Sequence, residues 1–368
     1  MSLRCSHDIK AEALRLGFSA CGMARANAVD EATAAGFRQW LQQGNQAEMH
    51  YMENHLDKRL DPRLLMDGLK TIVCVALNYT PSQRLPHGEY QLAAYALGQD
   101  YHDIVKQKLH NLASFIMQPT AKGQVSSNES RESMATSCES NTKCSEPKAE
   151  SHGCTAGNYR VFSDSAPILE RYWAVQAGLG WIGRNHQLII PPSAHGKQPQ
   201  NASGSMFFLG ELFLDIELDE YDKPMPNHCG TCRKCMDACP TGALGNTLED
   251  SPAPHFASMK CLSYQTIENR GDIPHSIAAV MGDTIYGCDR CQQACPWNRF
   301  AIPTDEPLLQ PKEELLGMTR EKWHRLSEED YRKLFKGSAV KRAKYSGLMR
   351  NIHAVSTDSF THGNEQDE

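Results

Sequence analysis

The sequence predicts an α+β protein with three consecutive parts. Residues 1–118 alternate helical and strand-like patterns, as is typical of a mixed helix and sheet domain. Two cysteine-rich motifs follow at residues 229–240 and 288–296, and the chain then becomes helical and locally basic. We therefore predict an α/β domain, a small domain organised around the cysteines, and a short helical C-terminal segment.

Length and charge restrict the class of protein. The chain has 368 residues, enough for two domains or one large domain with an insertion. Its formal net charge of -6 argues against nonspecific coating of nucleic acid, although a local basic patch would be compatible with it. No apolar run reaches the ~18 residues that a membrane span needs. The N-terminus has no apolar signal core. We expect a cytoplasmic protein without membrane association, and nothing demands more than a monomer.

The elements of the first part follow from their local patterns. The stretch HDIKAEALRLGF predicts a helix, SACGMARA a short strand, and EATAAGFRQWLQQGNQAEM a second helix. The β-branched run TIVCVALNY predicts a buried strand. The stretch QLAAYALGQDYHDIVKQKLHNLASFIM predicts one or two helices. Residues 119–158 are serine-rich and polar, and we predict a disordered surface insertion there; its cysteines, Cys138, Cys144 and Cys154, lack any ferredoxin-like spacing.

Regular patterns resume after the insertion. YRVFSDSAPILERYWAVQAGLGWIGRNHQLII predicts a strand, a turn, a helix, a glycine-rich turn and a strand, and SMFFLGELFLDIEL predicts a further strand. No G-x-G-x-x-G follows a strand, so a Rossmann dinucleotide site is not supported. The predicted domains span residues 1–225, 226–300 and 301–355, with a flexible tail at 356–368.

The two cysteine motifs point to a redox centre. CGTCRKCMDACP has the spacing C-x2-C-x2-C-x3-C-P of two-cluster bacterial ferredoxins, in which the cysteine before proline ligates the other cluster. CDRCQQACP lacks one cysteine, and Ile285 stands where it would fall. Either the second copy is decayed, or its fourth ligand comes from elsewhere. In a reducing compartment, clustered cysteines hold metal more often than they form disulfides.

Exchange of the last cysteines predicts two ligand sets. The first cluster would be held by Cys229, Cys232, Cys235 and Cys295. The second would be held by Cys239, Cys288 and Cys291, with Cys261 as the fourth ligand because it is the other cysteine of this half of the chain. Tetrahedral zinc is the alternative, but the three-residue gap before Cys-Pro in both motifs favours two [4Fe–4S] clusters.

Several long blocks carry a resemblance to a known family. MHYMENHLDKRLDPRLLMDGLKTIVCVALNY, YALGQDYHDIV, FSDSAPILERYWAVQAGLGWIGRNHQLII, SMFFLGELFL and FKGSAVKRAKYSGLMRN, together with both cysteine motifs, resemble the epoxyqueuosine reductase family. The resemblance implies an N-terminal α/β cobalamin-binding domain with a ferredoxin-like two-[4Fe–4S] domain. It also implies reduction of the epoxide of epoxyqueuosine in tRNA, the last step of queuosine biosynthesis. The family pattern includes the lone cysteine at Cys261.

The resemblance also implies site residues. The family's proton donor aligns with Asp164, whereas the residues DSAPILER alone favour a helix N-cap at that position. The D-x-H-x-x-G motif, which supplies a histidine ligand to cobalt in some corrinoid enzymes, is absent around His102. The resemblance instead suggests a base-off cobalamin without a protein ligand to cobalt. The predicted cobalamin contacts are Arg59, Tyr101, His102, Asp164, Trp181 and Asn185. Packing on a helix, or an ordinary turn, is the alternative for these side chains.

A basic segment near the C-terminus suggests RNA contact. Seven Lys or Arg and no acidic residue lie between Arg332 and Arg350, and Phe335 and Tyr345 are interleaved with them. A solvated helix face is the alternative interpretation. The predicted RNA contacts are Lys341, Arg342 and Lys344, through phosphates, with base stacking nearby.

Three functional hypotheses therefore stand. The leading one is a cobalamin-dependent, iron–sulfur epoxyqueuosine reductase that acts on tRNA and receives electrons from an unidentified donor. The second is a dehalogenase-like corrinoid reductase of a small molecule. The third is an electron carrier with an adaptor domain, which would need neither a corrinoid nor Asp164.

Overall fold

The computed structural model describes residues 4–118, 157–192, 203–245 and 256–361, with side chains described up to residue 356. The predicted insertion, apart from its last two residues, lies outside the described residues, together with its three cysteines. So do most of the polar loop after residue 192 and the end of the predicted tail. Within the described part of the chain, no helix is both long and apolar enough to cross a bilayer.

The elements alternate through the first part and become helical towards the end. The first part contains α1 (Ser6–Arg15), β1 (Ala20–Arg25), α2 (Glu31–Gln42), α3 (Leu56–Leu60), β2 (Thr71–Asn78), β3 (Gln91–Leu92), α4 (Tyr101–Met117), β4 (Tyr159–Phe162), α5 (Glu170–Gln176), β5 (Trp181–Ile182), β6 (Leu188–Ile189) and β7 (Phe207–Leu214). The remainder contains α6 (Lys234–Asp237), α7 (Leu262–Ile267), α8 (His275–Ala278), β8 (Thr284–Tyr286), α9 (Arg290–Gln293), α10 (Glu313–Leu316), α11 (Arg320–His324), α12 (Glu328–Leu334) and α13 (Lys344–Thr361).

A four-stranded sheet forms the centre of the first part. Its strand order is β1-β2-β7-β4, and all neighbouring strands are antiparallel. Strand β2 lies inside the sheet and is buried along its whole length, which explains why its sequence is a continuous apolar run rather than an alternating one. The predicted mixed helix and sheet fold is therefore confirmed.

The two faces of this sheet carry different helices. Val73 and Val75 point to the face that packs on α1 and α4, whereas Ile72 and Cys74 point to the face that packs on α2 and α5. Gly22 in β1 passes close to the end of α5, because a Cβ at this position would lie 1.9 Å from the carbonyl oxygen of Ala177. Only glycine allows this approach.

A second hydrophobic core joins distant parts of the chain. Strand β3 pairs in parallel with β8, and side chains from residues 85–97 pack with side chains from residues 262–355. Ile285 is fully buried in this core, and its carbonyl oxygen accepts a 2.8 Å hydrogen bond from Asn351 Nδ2. The position of the missing cysteine is thus occupied by a core residue. The predicted domain limits stay a prediction.

Most local predictions are confirmed, and two are wrong. Helices α1, α2 and α4 and strands β1, β2 and β7 lie within the predicted segments. Residues 91–100 were predicted to be helical, but they form β3 and a short 3-10 helix at Ala94–Ala96. The reason is that α4 begins later, where the Asp100 side chain caps it by accepting from His102 N–H. Trp181 and Ile182 were predicted in a turn, but they form one strand of the β5–β6 hairpin.

Candidate active site and cluster ligands

Asp164 lies in a turn just after β4, at the edge of the central sheet. Its φ of 50° is in the left-handed region, which aspartate tolerates better than most residues. The Tyr101 hydroxyl donates a 2.7 Å hydrogen bond to Asp164 Oδ2, and the Asp164 backbone N–H donates to the Glu170 carboxyl group. Helix α5 begins at Glu170, and Leu169, which precedes it, makes no side-chain cap. The N-cap interpretation of Asp164 is therefore wrong.

Tyr101 is held by rings on both sides. Its ring is stacked on Phe208, with centroids 3.9 Å apart, and on His102, with centroids 4.2 Å apart. Burial, reinforced by the charge of Asp164, raises the pKa of Tyr101 well above its usual range. The hydroxyl therefore stays protonated and donates to Asp164. The Asp100 carboxylate, 2.6 Å from His102 Nδ1, raises the pKa of His102.

The side chains around Asp164 act on one another electrostatically. Asp164 and Arg171 are open to solvent, yet the surrounding protein lowers the pKa of the Arg171 guanidinium by desolvation. Tyr51 is 45% exposed, yet desolvation raises its pKa to about 12. Arg171 also donates to the His186 carbonyl oxygen, which connects the start of α5 to the turn of the β5–β6 hairpin.

Three other predicted cobalamin contacts are Arg59, Asn185 and Trp181. Arg59 is buried, and its Nη2 donates a 3.2 Å hydrogen bond to the Tyr51 carbonyl oxygen, while its Nε has no acceptor. Asn185 is buried in the β5–β6 turn, and its Nδ2 has no acceptor. Trp181 packs edge-on against Trp297, with ring centroids 4.9 Å apart. Tyr101 and Asp164 are thus in direct contact, whereas Trp181 and Asn185 lie towards the first set of cysteines.

The first predicted ligand set surrounds one cavity. Cys229, Cys232, Cys235 and Cys295 line a cavity of about 250 Å³ together with Asn185. Cys295 comes from the second motif and the other three come from the first, as the exchange of last cysteines requires. Within the described residues, no three His, Cys, Asp or Glu side chains are close enough to hold a single metal ion.

The cysteines of the second predicted ligand set also lie near one another. Burial raises the pKa of Cys288 to about 11, and the neighbouring Cys261 adds to the shift. Burial raises the pKa of Cys261 as well, with a contribution from Cys239. Cys239 and Cys291 pack in one apolar cluster with Cys235 of the first set. Cys261 is therefore a neighbour of both motifs, and the two sets are adjacent.

One of the predicted RNA-contacting side chains, Arg342, lies near the residues around Asp164. Lys341, Arg342 and Lys344 are all exposed. The guanidinium of Arg342 forms two hydrogen bonds with Glu268, of 2.8 and 2.9 Å, and lies 5.8 Å from the Tyr51 ring. The Glu268 hydrogen bonds raise the pKa of Arg342, and the charge of Asp164 contributes.

Two other parts of the basic segment serve the fold. Phe335, one of the two aromatic residues interleaved with the basic ones, is 2% exposed and is stacked on Trp323 in the second core, so its ring is not available to stack on bases. Arg350 donates to the carbonyl oxygens of Gln265, Asn269 and Gly271, which ties α13 to the segment after α7. The Arg350 guanidinium therefore stabilises the fold.

Sequence reasoning missed four side chains of this region, namely Tyr51, Glu170, Arg171 and Glu211. Glu211 left a detectable signal, because it is the acidic residue in the apolar run FFLGELFL, and a carboxyl group in a buried strand needs an explanation. Tyr51 lies within a quoted block, but nothing local shows that its ring stays exposed beside Arg342.

Family comparisons match two parts of the chain. Residues 59–131 match the family described as "Epoxyqueuosine reductase QueG, DUF1730", and residues 228–298 match the "4Fe-4S double cluster binding domain". The epoxyqueuosine reductase of Cellulophaga algicola is 41% identical over 345 residues, which cover 94% of this chain and 95% of the relative. That of Cyclobacterium marinum is 39% identical, with 95% of this chain and 96% of the relative covered.

Solved structures share the fold. An epoxyqueuosine reductase crystallised with an epoxyqueuosine-modified tRNA-Tyr stem loop superposes with a TM-score of 0.74 at 24% identity, covering 96% of this chain and 80% of that chain. The epoxyqueuosine reductase from Streptococcus thermophilus gives a TM-score of 0.74 at 23% identity, with 96% and 81% covered.

Proposed function

Because this chain belongs to the epoxyqueuosine reductase family of oxidoreductases, we propose that it reduces the epoxide of epoxyqueuosine in tRNA to the alkene of queuosine. The observation that carries the proposal is the position of Asp164. Its carboxyl group is held by Tyr101, and the exposed, basic Arg342 is near enough for the charge of Asp164 to act on it. An acid and an exposed basic side chain thus lie in one neighbourhood, which supports an acid-assisted reaction on tRNA.

The double-cluster domain would supply the electrons. We propose the ligand sets Cys229, Cys232, Cys235, Cys295 and Cys239, Cys261, Cys288, Cys291. The common cavity of the first set and the mutual proximity of the second support this assignment. Two adjacent clusters can pass electrons singly towards the substrate.

The buried polar side chains among the predicted contacts also fit cobalamin. Arg59 Nε and Asn185 Nδ2 are buried N–H donors without acceptors, and the amide and phosphate oxygens of a corrinoid are acceptors of the right kind. We propose that cobalamin is held by Arg59, Tyr101, His102, Asp164, Trp181 and Asn185. Bound cobalamin would supply a low-valent cobalt centre for electron transfer to the substrate.

The chain's own residues would manage the protons. Removal of the epoxide oxygen as water consumes two electrons and two protons. Asp164 would act as a general acid and protonate the departing oxygen. Tyr101 would orient the Asp164 carboxyl group, because its hydroxyl donates to Oδ2 and its own ring is locked between Phe208 and His102.

The exposed Lys341 and Lys344 are expected to contact tRNA phosphates. Replacing Lys341 and Lys344 together by alanine should weaken tRNA binding severalfold and reduce the salt dependence of the affinity, because each lost phosphate contact lowers the slope by about one. Fluorescence anisotropy with an anticodon stem loop at several salt concentrations measures both effects. Lys333→Ala is the matched control, since Lys333 is exposed but pairs with Glu329 on α12. An unchanged slope in the double variant would contradict the assignment.

A competition experiment tests the substrate class. The anaerobically purified holoenzyme is offered reductant with epoxyqueuosine-modified tRNA, with the free nucleoside, or with a halogenated arene. We expect the tRNA to be converted much faster than either small molecule. Preferential reduction of the arene would instead support the small-molecule corrinoid reductase.

A further inference from the structure

Two carboxyl groups behind Asp164 have no role in the chemistry described so far. Glu211 lies in the middle of β7 with 0% exposure, and neither of its oxygens receives a hydrogen bond from an N–H or hydroxyl donor. An ionised carboxylate in such a place is very costly. A neutral carboxyl group, or one that shares a proton with a neighbour, avoids that cost.

The neighbour is Glu170 at the start of α5. Burial, followed by the charge of Asp164, raises the pKa of Glu170 to about 8. Burial, followed by Glu170, raises the pKa of Glu211. Two carboxyl groups in contact cannot both ionise easily, so a proton stays between them near neutral pH.

This pair is built into the turn that carries Asp164. The Glu170 carboxyl group accepts a hydrogen bond from the Asp164 N–H, which is the backbone donor of a residue in the left-handed region. Other titratable or charged groups act on the pair from the surrounding elements, namely Arg59 of α3, Cys74 of β2, Tyr101 of α4 and Arg171 of α5. The charge state of Asp164 and that of the pair therefore influence one another.

We propose that Glu170 and Glu211 store a shared proton behind Asp164 and return it to the Asp164 carboxylate during each turnover. This inference rests on the proposed function, in which the reaction consumes two protons while Asp164 carries one. Asp164 gives its proton to the departing oxygen. The O–H bond of the protonated pair then breaks, the proton passes to Asp164, and Asp164 delivers it to form water. Solvent later restores the proton of the pair. Glu170 and Glu211 are positioning residues, because they act through Asp164.

Infrared spectroscopy tests the stored proton without turnover. Protein labelled with ¹³C at glutamate carboxyl groups separates the glutamic acid C=O stretch from that of aspartic acid. We expect a protonated glutamic acid band at pH 7 that loses intensity as pH rises through about 8, where Glu170 loses its proton. Glu211→Gln should remove it at pH 7, because the amide donates a hydrogen bond to Glu170 and lowers the pKa of that group. Glu217→Gln is the matched control, since Glu217 follows the same strand but is exposed.

Two infrared results would overturn the proposal. One is the absence of a glutamic acid band from the unsubstituted protein at pH 7, which needs no variant to fold. The other is a band that persists unchanged in both Glu211→Gln and Glu170→Gln. Neither outcome depends on whether the enzyme reduces epoxyqueuosine, so a failure of the proposed function is recognised separately.

The pH dependence of single-turnover reduction tests the role of the proton. The rate of the unsubstituted enzyme should decline as pH rises through about 8, where Glu170 loses its proton. In Glu211→Gln the decline should move to lower pH, and the rate at pH 8 should fall about tenfold or more with tRNA affinity unchanged. Coincident profiles for the variant and the Glu217→Gln control would overturn the proposal.

The pH dependence of thermal unfolding should also reveal the raised pKa of Glu170. The folded-state pKa of Glu170 is raised from 4.5 to about 8, so its contribution to stability is fully present below pH 4.5 and is lost as pH rises through about 8. We expect the Tm of the unsubstituted protein to fall between pH 6 and pH 9, and that fall to be smaller in Glu170→Gln. Calorimetry at matched ionic strength, with Glu217→Gln as control, measures the difference. Equal slopes in all three proteins would overturn the stored proton.

Discussion

Replacing Asp164 by asparagine is expected to lower the single-turnover rate of epoxide reduction by about 10²–10⁴-fold. The amide has no acidic proton to give to the departing oxygen. Its oxygen can still accept the hydrogen bond from Tyr101, and asparagine tolerates the left-handed backbone at this position. Rapid-quench analysis of modified tRNA with pre-reduced enzyme measures the rate.

The fold of the Asp164→Asn variant should be intact, which distinguishes an acid from a structural residue. Cluster absorbance, cobalamin binding and thermal midpoint are therefore expected to match those of the unsubstituted protein. Tyr101→Phe is a useful companion, because it removes the hydrogen bond to Asp164 but leaves the acid, so a smaller loss of rate is expected. A fully active Asp164→Asn enzyme would show that another group protonates the oxygen.

Replacing Cys261 by serine is expected to remove one of the two clusters, and with it about half of the bound iron. Cys261 lies beside Cys239 and Cys288, and the second motif has no fourth cysteine of its own. Iron and sulfide analysis after anaerobic reconstitution gives the loss, and electron paramagnetic resonance of the reduced protein shows whether one cluster remains.

The matched control for this variant is Cys5→Ser, because Cys5 precedes α1 and belongs to neither ligand set. It should keep the full iron content. Retention of full iron by Cys261→Ser would contradict the assignment of the fourth ligand. Loss of all iron would mean that the first cluster cannot assemble without the second.

Local sequence patterns predicted much of the fold. The run TIVCVALN predicted β2 because a strand buried on both faces is apolar throughout. The spacing of the cysteine motifs anticipated that Cys295 would join Cys229 and Cys232, and these thiols line one cavity. The cause of the first lies within one short segment, whereas the second depends on a motif whose cysteine spacing is visible in the sequence although Cys295 is distant along the chain from its partners.

Long-range packing could not be derived in the same way. Phe335 is flanked by charged residues, but it is buried because residues 85–97 complete a core with the C-terminal helices. Glu170 and Glu211 are 41 positions apart and meet only because α5 packs against the sheet that contains β7. Tyr51 and Arg342 likewise come together only in the folded chain. The active-site surroundings therefore emerged from the structure, although Asp164 itself followed from family resemblance.

The most direct test of epoxyqueuosine reduction by this chain is mass spectrometry of tRNA nucleosides after anaerobic incubation with the reconstituted protein, cobalamin and a reductant. We expect epoxyqueuosine to lose one oxygen atom and become queuosine, and Asp164→Asn protein with full iron content to leave it almost unchanged. Epoxyqueuosine that remains intact with fully loaded, reduced, unsubstituted protein would show that this chain does not reduce it.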